Sequence, residues 1–565
     1  MMIRSNRLTG LAAVAAVVAS AFAHADRARA AEPMAVVAFS GYDALMKDID
    51  FIGELAGQMQ ASQQVEMMVG MFTQNKGLAG LDKSKPIGVI LQSNSGMPEP
   101  LICVPVTDSD ELLGVAKQFG VTTEDLGDGV MQIQSPGMPL FGKPSGGWLL
   151  LSITPSAFDG APADPGADLA KLTDAYDLAA RAYVQNIPEA YRQQFVQLIT
   201  QAANQSMAQM PDESDEDYQA RQEQLQAGLD EMQQAVDDMD QITIGLAVDE
   251  QNANVALEFT ATAQPGTKLA AEMAKAQNAT TNFAGFFEPD AAMMMTLSAE
   301  AASTDLSQME QQLEAAKKQA NKEIDNNDDL SDAGKEKVKA ALSDILDAFV
   351  ATAQSGKFDG GAVLNMGDNE LTFVGGGAIA EPQKIDSALR QIVEVGQEES
   401  ADDMPEVSWN AESYQGYSFH TFSKEIPARE EEARAVFGDA LQFAVGIGED
   451  SVYFALGRGW FEKVKSVIDA SAANPGKSVP PMEMTFALGQ IMDFAESVAE
   501  DDAKPILARI ASMLDNEANG RDHVRIVARA TEGGNGQVVR IEAEEGVLRS
   551  IALGAMAAQM QAAGR

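Results

Sequence analysis

The sequence has one cysteine, Cys103, and only three histidines in 565 residues. A single cysteine excludes an intrachain disulfide, so the fold must be stabilised by packed cores. A zinc site of the usual cysteine and histidine type is excluded as well, because the ligands are too few. His420 and His523 lie in strand-like segments, and we interpret both as packed or surface residues. A serine–histidine–aspartate set would need one of them, and nothing in the sequence indicates an activated pair.

Basic residues are also scarce, since 40 lysines and arginines stand against 84 aspartates and glutamates, for a net charge of −44. Nucleic acid and anionic membrane surfaces are therefore not expected as partners, because such binding requires a basic footprint. Aromatic residues make up 6% of the chain, which is few for an enzyme that stacks sugars. The sequence has no glycine-rich phosphate loop and no nucleophile elbow, and we predict no cofactor.

Long apolar runs are missing beyond the N-terminus, so the mature chain is not expected to span a membrane. The N-terminus has a short basic stretch, MMIRSNR, followed by the apolar stretch LTGLAAVAAVVASAFA. Two A-x-A patterns end at Ala25 and Ala30. This arrangement predicts a secretory signal peptide at 1–30, cleaved after Ala30 or, alternatively, after Ala25. We therefore expect an exported protein, either periplasmic or secreted.

The rest of the chain repeats one order of strand-like and helix-like segments. The stretch at 34–49 resembles the stretch at 291–306, and six further pairs follow in the same order. The last pair, 240–274 and 522–557, has a strand, a turn, a second strand and a closing helix in both members. An internal repeat of this length indicates that one folding unit occurs twice.

The repeat predicts an α+β fold of two related domains, at 31–288 and 289–565, each a mainly antiparallel sheet packed with helices. Two helical additions distinguish the domains: an acidic helical insertion at 201–239 and a helical hairpin at 305–353. Both carry short apolar seams of coiled-coil spacing. We expect each seam to pack on its own domain, and a protein partner bound through the helices is the alternative.

One segment of the hairpin, DNNDDLSDAGKE, resembles a calcium-binding EF-hand loop. Oxygen-bearing side chains stand at loop positions 1, 3, 5, 7 and 12. These candidate calcium ligands are Asp325, Asn327, Asp329, Ser331 and Glu336. Position 6 requires a glycine and holds Leu330 instead. We favour the alternative that the segment is a turn between two helices, in which Asp329 or Ser331 caps the second helix.

Methionine is frequent, with 28 residues. Thioethers bind Cu(I) in exported proteins, and they also line adaptable pockets for apolar ligands. The interpretation that we favour is core filling. In the repeat, Met294 and Met295 take the places of Val36 and Val37, as packing allows and a metal site would not predict.

Four segments of the first half carry a resemblance to known proteins: GLDKSKPIGVIL, VPVTDSDELLGVAKQFG, GGWLLLS and YDLAARAYVQNIPEAYRQQF. Together they resemble uncharacterised duplicated-domain secreted proteins of planctomycete-type bacteria. The resemblance covers most of the first half and, more faintly, the second. It implies export and a duplicated α+β build, and it carries no known activity and no site residues.

These observations predict an exported binding or scaffold protein without catalytic activity, with its ligand unknown. One alternative is a carrier that holds a hydrophobic ligand in a methionine-rich cavity. Another is a hydrolase that uses a pair of carboxylates hidden among the 84 acidic residues. The sequence favours the binding protein, because it contains no recognisable catalytic set.

Overall fold

The computed structural model describes residues 32–563 except 56, 95–96, 135–138, 210–213, 301–302, 368, 400–403, 501–502, 517 and 519. The predicted signal peptide at 1–30 and its cleavage sites lie outside the described residues. The chain forms two compact units, one up to Ala271 and one from Glu272 onward. The sequence placed this boundary further on, at 288/289. Among the described helices, none combines the length and hydropathy needed to cross a membrane.

The first unit contains a sheet of ten described strands, all paired antiparallel. They are β1 (Pro33–Phe39), β2 (Ile87–Asn94), β3 (Met97–Pro105), β4 (Thr122–Gly127), β5 (Val130–Gln134), β6 (Leu140–Ser145), β7 (Trp148–Ser152), β8 (Leu178–Tyr183), β9 (Met239–Asp249) and β10 (Asn254–Ala263). The helices are α1 (Tyr42–Leu55), α2 (Ala61–Phe72), α3 (Ser109–Ala116), α4 (Pro165–Thr173), α5 (Glu189–Ser206), α6 (Asp215–Asp238) and α7 (Lys268–Ala274), within which the units divide. The strand order is β4-β5-β6-β7-β3-β2-β1-β8-β9-β10.

The second unit also contains ten described strands in an antiparallel sheet. They are β11 (Met293–Glu300), β12 (Lys357–Gly367), β13 (Glu370–Ala378), β14 (Glu406–Tyr414), β15 (Tyr417–Glu425), β16 (Ala440–Ile447), β17 (Ser451–Gly457), β18 (Met482–Ala487), β19 (His523–Ala530) and β20 (Gly536–Glu544). The helices are α8 (Ser303–Asp325), α9 (Asp332–Gln354), α10 (Pro382–Glu399), α11 (Glu431–Phe437), α12 (Trp460–Ala473), α13 (Leu488–Val498), α14 (Lys504–Asn516) and α15 (Glu545–Ala563). The strand order is β14-β15-β16-β17-β13-β12-β11-β18-β19-β20.

The two sheets have the same strand order when each strand of the first unit is matched to the strand ten places later. Local details agree as well. The backbone N–H of Ser40, just after β1, donates to the carbonyl of Asp177, just before β8 (2.9 Å). In the second unit, Ser298 donates to the carbonyl of Pro481, just before β18 (2.8 Å). Ser40 and Ser298 lie in the two stretches, 34–49 and 291–306, that resemble each other in the sequence.

Each sheet has one face covered by a helix near its centre. Asp164 accepts a hydrogen bond from the backbone N–H of Gly166 (3.0 Å) and so starts α4. Leu169 and Leu172 of this helix are buried against β1 and β8, in a core that includes Trp148. In the second unit, α12 packs on the sheet with Trp460 in the core. Burial of both tryptophans agrees with a role in packing rather than in sugar stacking.

The helical additions occupy the segments that the sequence indicated. In the hairpin, α8 and α9 are joined by a turn, although the side chains of 303–312 lie outside the described ones. Ser331 starts α9, because its hydroxyl accepts a hydrogen bond from the N–H of Gly334 (3.1 Å). In the acidic insertion, α5 extends to Ser206, and α6 spans 215–238 with Leu229 buried. The prediction of mixed helices and mainly antiparallel sheet is confirmed.

Candidate functional site

The first unit has an apolar sheet face over strands β1, β8, β9 and β10 on which no side chain is buried. Residues directly opposite each other in antiparallel strands point to the same face. Three rows cross the four strands: Phe39–Leu178–Leu246–Leu257, Val37–Ala180–Ile244–Phe259 and Ala35–Ala182–Ile242–Ala261. We call these twelve residues the first open face. All twelve are apolar, and Val37, Ile242, Ile244 and Phe259 are 39–42% exposed.

The opposite face of the same strands is packed. Val36, Ala38 and Ala179 are at most 2% exposed and lie against α4. Glu258 is also buried on this side, where its carboxylate accepts a hydrogen bond from the hydroxyl of Tyr176. Burial and that hydrogen bond raise the pKa of Tyr176 to about 12. The strands therefore have apolar residues on both faces, and only one of these faces is covered.

The second unit has the same kind of face at equivalent strands, β11, β18, β19 and β20. Its rows are Leu297–Met482–Ala528–Val539, Met295–Met484–Ile526–Ile541 and Met293–Phe486–Val524–Ala543. We call these twelve residues the second open face. All are apolar and all are half-buried. Four are methionines, whereas the first open face contains none.

The triple methionine of β11 is divided between the two faces. Met294 is 1% exposed and fills the core, as the sequence predicted. Met293 and Met295 belong to the second open face. The opposite face of β18 and β19 is polar, and Glu483 pairs there with Arg525 (2.7 Å). The polar residues of this end of the sheet thus lie on the side away from the open face.

The five candidate calcium ligands do not form one site in the structure. Asp325 is the last residue of α8, and its carboxylate pairs with Lys339. Glu336, at the other end of the loop, pairs with the same lysine (3.3 Å). Asn327 accepts a hydrogen bond from the N–H of Asp329 (2.9 Å), and Ser331 caps α9. This geometry corresponds to the alternative interpretation of the segment as a turn between two helices, and Lys339 lies between the residues at the first and last loop positions.

His420 lies in a closed hydrogen-bond network. It is 2% exposed, and its Nδ1 accepts a hydrogen bond from the backbone N–H of Asn410 (3.1 Å). Its Nε2 contacts Asp386 Oδ1 (2.6 Å), and Arg390 pairs with the other oxygen of that carboxylate (3.1 Å). Burial lowers the pKa of His420, although Asp386 opposes this shift. The neutral ring is therefore held for packing, with both nitrogens engaged and Trp409 against it (5.0 Å between ring centroids).

His523 lies between two carboxylates at the start of β19. Its Nδ1 is 3.0 Å from Asp522 Oδ1 and 3.2 Å from Glu544 Oε2, at the end of the adjacent strand β20. The hydrogen bonds to Asp522 and Glu544 raise the pKa of His523 to about 10. Burial raises the pKa of both carboxyls, but the hydrogen bonds from His523 outweigh it, and both pKa values are lowered overall. Within the described residues, this trio is the one group of three histidine, cysteine, aspartate or glutamate side chains whose ligand atoms all lie within 4.8 Å of one another.

In the first unit, the pKa of one buried carboxyl is raised and not lowered. Asp48, on α1, is 9% exposed. Burial, and then repulsion from Asp177 and Glu250, raise its pKa to about 6. Asp177 is itself engaged, because its Oδ2 accepts a hydrogen bond from the N–H of Val248 (2.7 Å). Asp48 thus shares a crowded acidic environment in which ionisation is disfavoured.

Sequence reasoning missed the open faces and the trio around His523. The signal for the open faces was present, because segments such as MAVVAF and MMMTL are apolar at consecutive positions and not only at alternate ones. A strand that is apolar on both sides is typical of sheets with two covered faces. The trio required the register of the hairpin β19–β20, which brings Glu544 opposite His523.

Comparison with known proteins found no matching family model, no matching curated sequence and no matching solved structure. The resemblance to secreted proteins of planctomycete-type bacteria therefore stays an expectation from the sequence. What the chain does has to be inferred from its own geometry.

Proposed function

We propose that the chain is an exported, internally duplicated protein that binds a hydrophobic ligand on its open faces and does not catalyse a reaction. This proposal corresponds to the carrier among the alternatives given by the sequence. The ligand binds on an open face of the sheet and not in a methionine-rich cavity. The signal-peptide pattern at 1–30 supports export. The observation that supports a hydrophobic ligand is that all twelve positions of each open face hold apolar residues.

Duplication is supported by strand order and by register. In both units the strand before the first helix lies at the middle of the sheet, between the second strand and the eighth. In the hairpins β9–β10 and β19–β20, four residues separate the last paired residues, which are Asp249 and Asn254 in the first and Thr531 and Gly536 in the second. Two unrelated domains would have no reason to share these details. The seven segment pairs of the sequence fall on equivalent elements throughout.

A hydrophobic small molecule fits the open faces better than a protein partner. A protein that docks on a sheet face also brings polar groups, which need partners once they are buried. The twelve positions of either face offer no polar side chain. An aliphatic chain needs none, and burial of each CH₂ contributes about 0.8 kcal/mol. The ligand expected is therefore a lipid or a similar aliphatic molecule, with an uncharged or cationic head that tolerates this acidic protein.

The test is to ask whether the protein carries a lipid. The chain is purified from its own host, examined by native mass spectrometry and extracted with organic solvent. We expect a bound mass of one or two hydrophobic molecules. The uncharged fluorescent probe 1-N-phenylnaphthylamine then measures binding to the extracted protein.

Single charges on the faces provide the matched comparison. Ile244→Glu and Met484→Glu each place a carboxylate on one face, and each should weaken probe binding at that face at least about tenfold. Leu198→Glu, on α5 outside both faces, changes an equally apolar side chain that is 60% exposed and should leave binding unchanged. A protein that carries no lipid and binds the probe equally well in all three variants would contradict the proposal.

A further inference from the structure

We propose that Asp522, His523 and Glu544 form a binding site for a divalent transition-metal ion of the zinc class. The site belongs to the second unit and is separate from the proposed ligand function. It joins the start of β19 to the end of β20, so its parts are held by a paired hairpin. From the sequence alone, His523 is interpreted as a packed or surface residue.

The two distances from His523 to the carboxylates match those between neighbouring ligands of a metal ion. Zinc binds histidine nitrogen and carboxylate oxygen at about 2.0–2.2 Å in tetrahedral geometry, which places neighbouring ligand atoms about 3.3 Å apart. The Nδ1 of His523 lies 3.0 Å from Asp522 Oδ1 and 3.2 Å from Glu544 Oε2. An ion can therefore take the place of the shared proton with small movements of the side chains.

Both carboxylates are held in place by backbone groups. Asp522 uses its other oxygen, Oδ2, to accept a hydrogen bond from the N–H of Gly489 at the start of α13, which leaves Oδ1 directed at the histidine. A side chain at position 489 would place its Cβ 2.6 Å from that Oδ2, so any residue other than glycine would displace the carboxylate of Asp522. Glu544 accepts a hydrogen bond from the N–H of His523 (2.9 Å). Such second contacts fix the orientation of metal ligands.

The first unit provides an internal comparison at the same register. Gln241 pairs with the last residue of β8, as His523 pairs with the last residue of β18. The residues equivalent to the trio are therefore Asp240, Gln241 and Thr262. Both units have an aspartate at the first of these positions, and in the first unit Gln241 donates a hydrogen bond to Asp240 (3.2 Å). The fold thus accommodates this corner without a histidine or a glutamate, and the second unit has a ligand set that folding alone does not require.

The ligand set indicates the class of ion. Imidazole suits zinc and its neighbours in the transition series, whereas calcium and magnesium prefer sites built from oxygen alone. The three side chains are 10–30% exposed, so an ion can reach them and solvent can complete the coordination. We therefore expect Zn²⁺ to bind more tightly than Ca²⁺ or Mg²⁺.

The test is isothermal titration of the purified, chelator-treated chain with Zn²⁺. We expect one ion per chain above the weak background of the acidic surface. His523→Gln and Glu544→Thr install the residues that the first unit uses, so both should fold, and each should lower the affinity for Zn²⁺ at least about tenfold. Glu542→Gln, on the same strand, removes an equal charge outside the trio and should leave the affinity unchanged.

A second measurement needs no variant. Zn²⁺ added to the ¹⁵N-labelled chain should shift the imidazole signals of His523 and leave those of the buried His420 in place. The proposal is overturned if the chain binds no stoichiometric ion, which would make the trio a hydrogen-bonded imidazolium only. It is also overturned if the bound ion is retained in both His523→Gln and Glu544→Thr, or if Zn²⁺ leaves the His523 signals unmoved.

Discussion

The two open faces have the same register and different side chains. At the centre of the first face stands Ile244, 42% exposed, and at the equivalent place in the second stands Ile526, half-buried. The second face replaces small and branched residues of the first with four methionines. Methionine is flexible and fills irregular spaces, whereas valine and isoleucine keep a fixed shape.

The comparison separates what both units keep from what has changed. Every one of the twelve positions is apolar in both units, which neither strand pairing nor solubility requires. The size and flexibility of the side chains differ between them. We infer that apolar character is the shared requirement, and that the second face suits ligands of more varied shape. The following predictions test this contrast.

The largest difference is expected for stability. Ile526→Glu puts a charge among half-buried neighbours and should lower the free energy of unfolding by about 3 kcal/mol. Ile244→Glu, at the same register, should cost about 1 kcal/mol, because water already reaches that side chain. Differential scanning calorimetry of both variants measures the contrast. Equal losses in the two variants would show that the faces are equally covered.

The second prediction contrasts the carboxyls of the two units. In the first unit the pKa of Asp48 is raised to about 6, whereas in the second unit the pKa values of Asp522 and Glu544 are lowered. A carboxyl with a raised pKa destabilises the fold when it ionises. Its penalty is absent below the unfolded value near 3.8, develops as the pH rises from 3.8 to about 6, and is fully present above 6. Asp48→Asn should therefore stabilise the chain by about 3 kcal/mol at pH 7.5 and have little effect at pH 3.5.

The check is chemical denaturation of wild type and Asp48→Asn across this pH range. Asp43→Asn, on the same helix, serves as the control for removal of a charge. If both variants gain the same stability at every pH, the gain comes from the net charge of the acidic chain and not from the burial of Asp48.

The smallest effect concerns methionine oxidation. With mild peroxide, the most exposed methionines should oxidise first, and these are Met59, Met67 and Met71, at 81%, 70% and 72% exposed. The four methionines of the second open face should follow, and the buried Met294 should be last. Bound lipid should slow oxidation of the four several-fold and leave Met67 and Met71 unaffected. Peptide mapping by mass spectrometry gives these rates, and protection of Met67 and Met71 instead would place the ligand elsewhere.

Much of the fold could be predicted from local patterns. The start of α9 at Ser331, whose hydroxyl caps the helix, follows from residue type and spacing. The seven segment pairs fall on strands and helices that follow the same order in the two units, and the duplication that they predict stays a proposal. The unit boundary was harder to predict, because the segment just before the predicted boundary at 288/289 packs into the core of the second unit, where Phe286 is buried.

The candidate sites were harder to predict because they depend on pairing between strands. The trio at His523 joins residues 21 positions apart, and only the register of β19 with β20 makes them neighbours. The acids at the two ends of the calcium candidate are engaged locally, since Lys339 pairs with both Asp325 and Glu336. A search for motifs in the sequence alone registers the acids of the loop and overlooks the lysine that neutralises them.

The lone thiol gives the molecule a built-in reporter. Cys103 is fully buried in the first core, and burial raises its pKa to about 12. A thiol reagent can therefore modify it only when the sheet around β3 opens. The rate of labelling under native conditions would count the openings of the first unit alone, since the second contains no cysteine. Labelling of Cys103 thus measures the rate of local opening in the first unit separately from opening in the second unit.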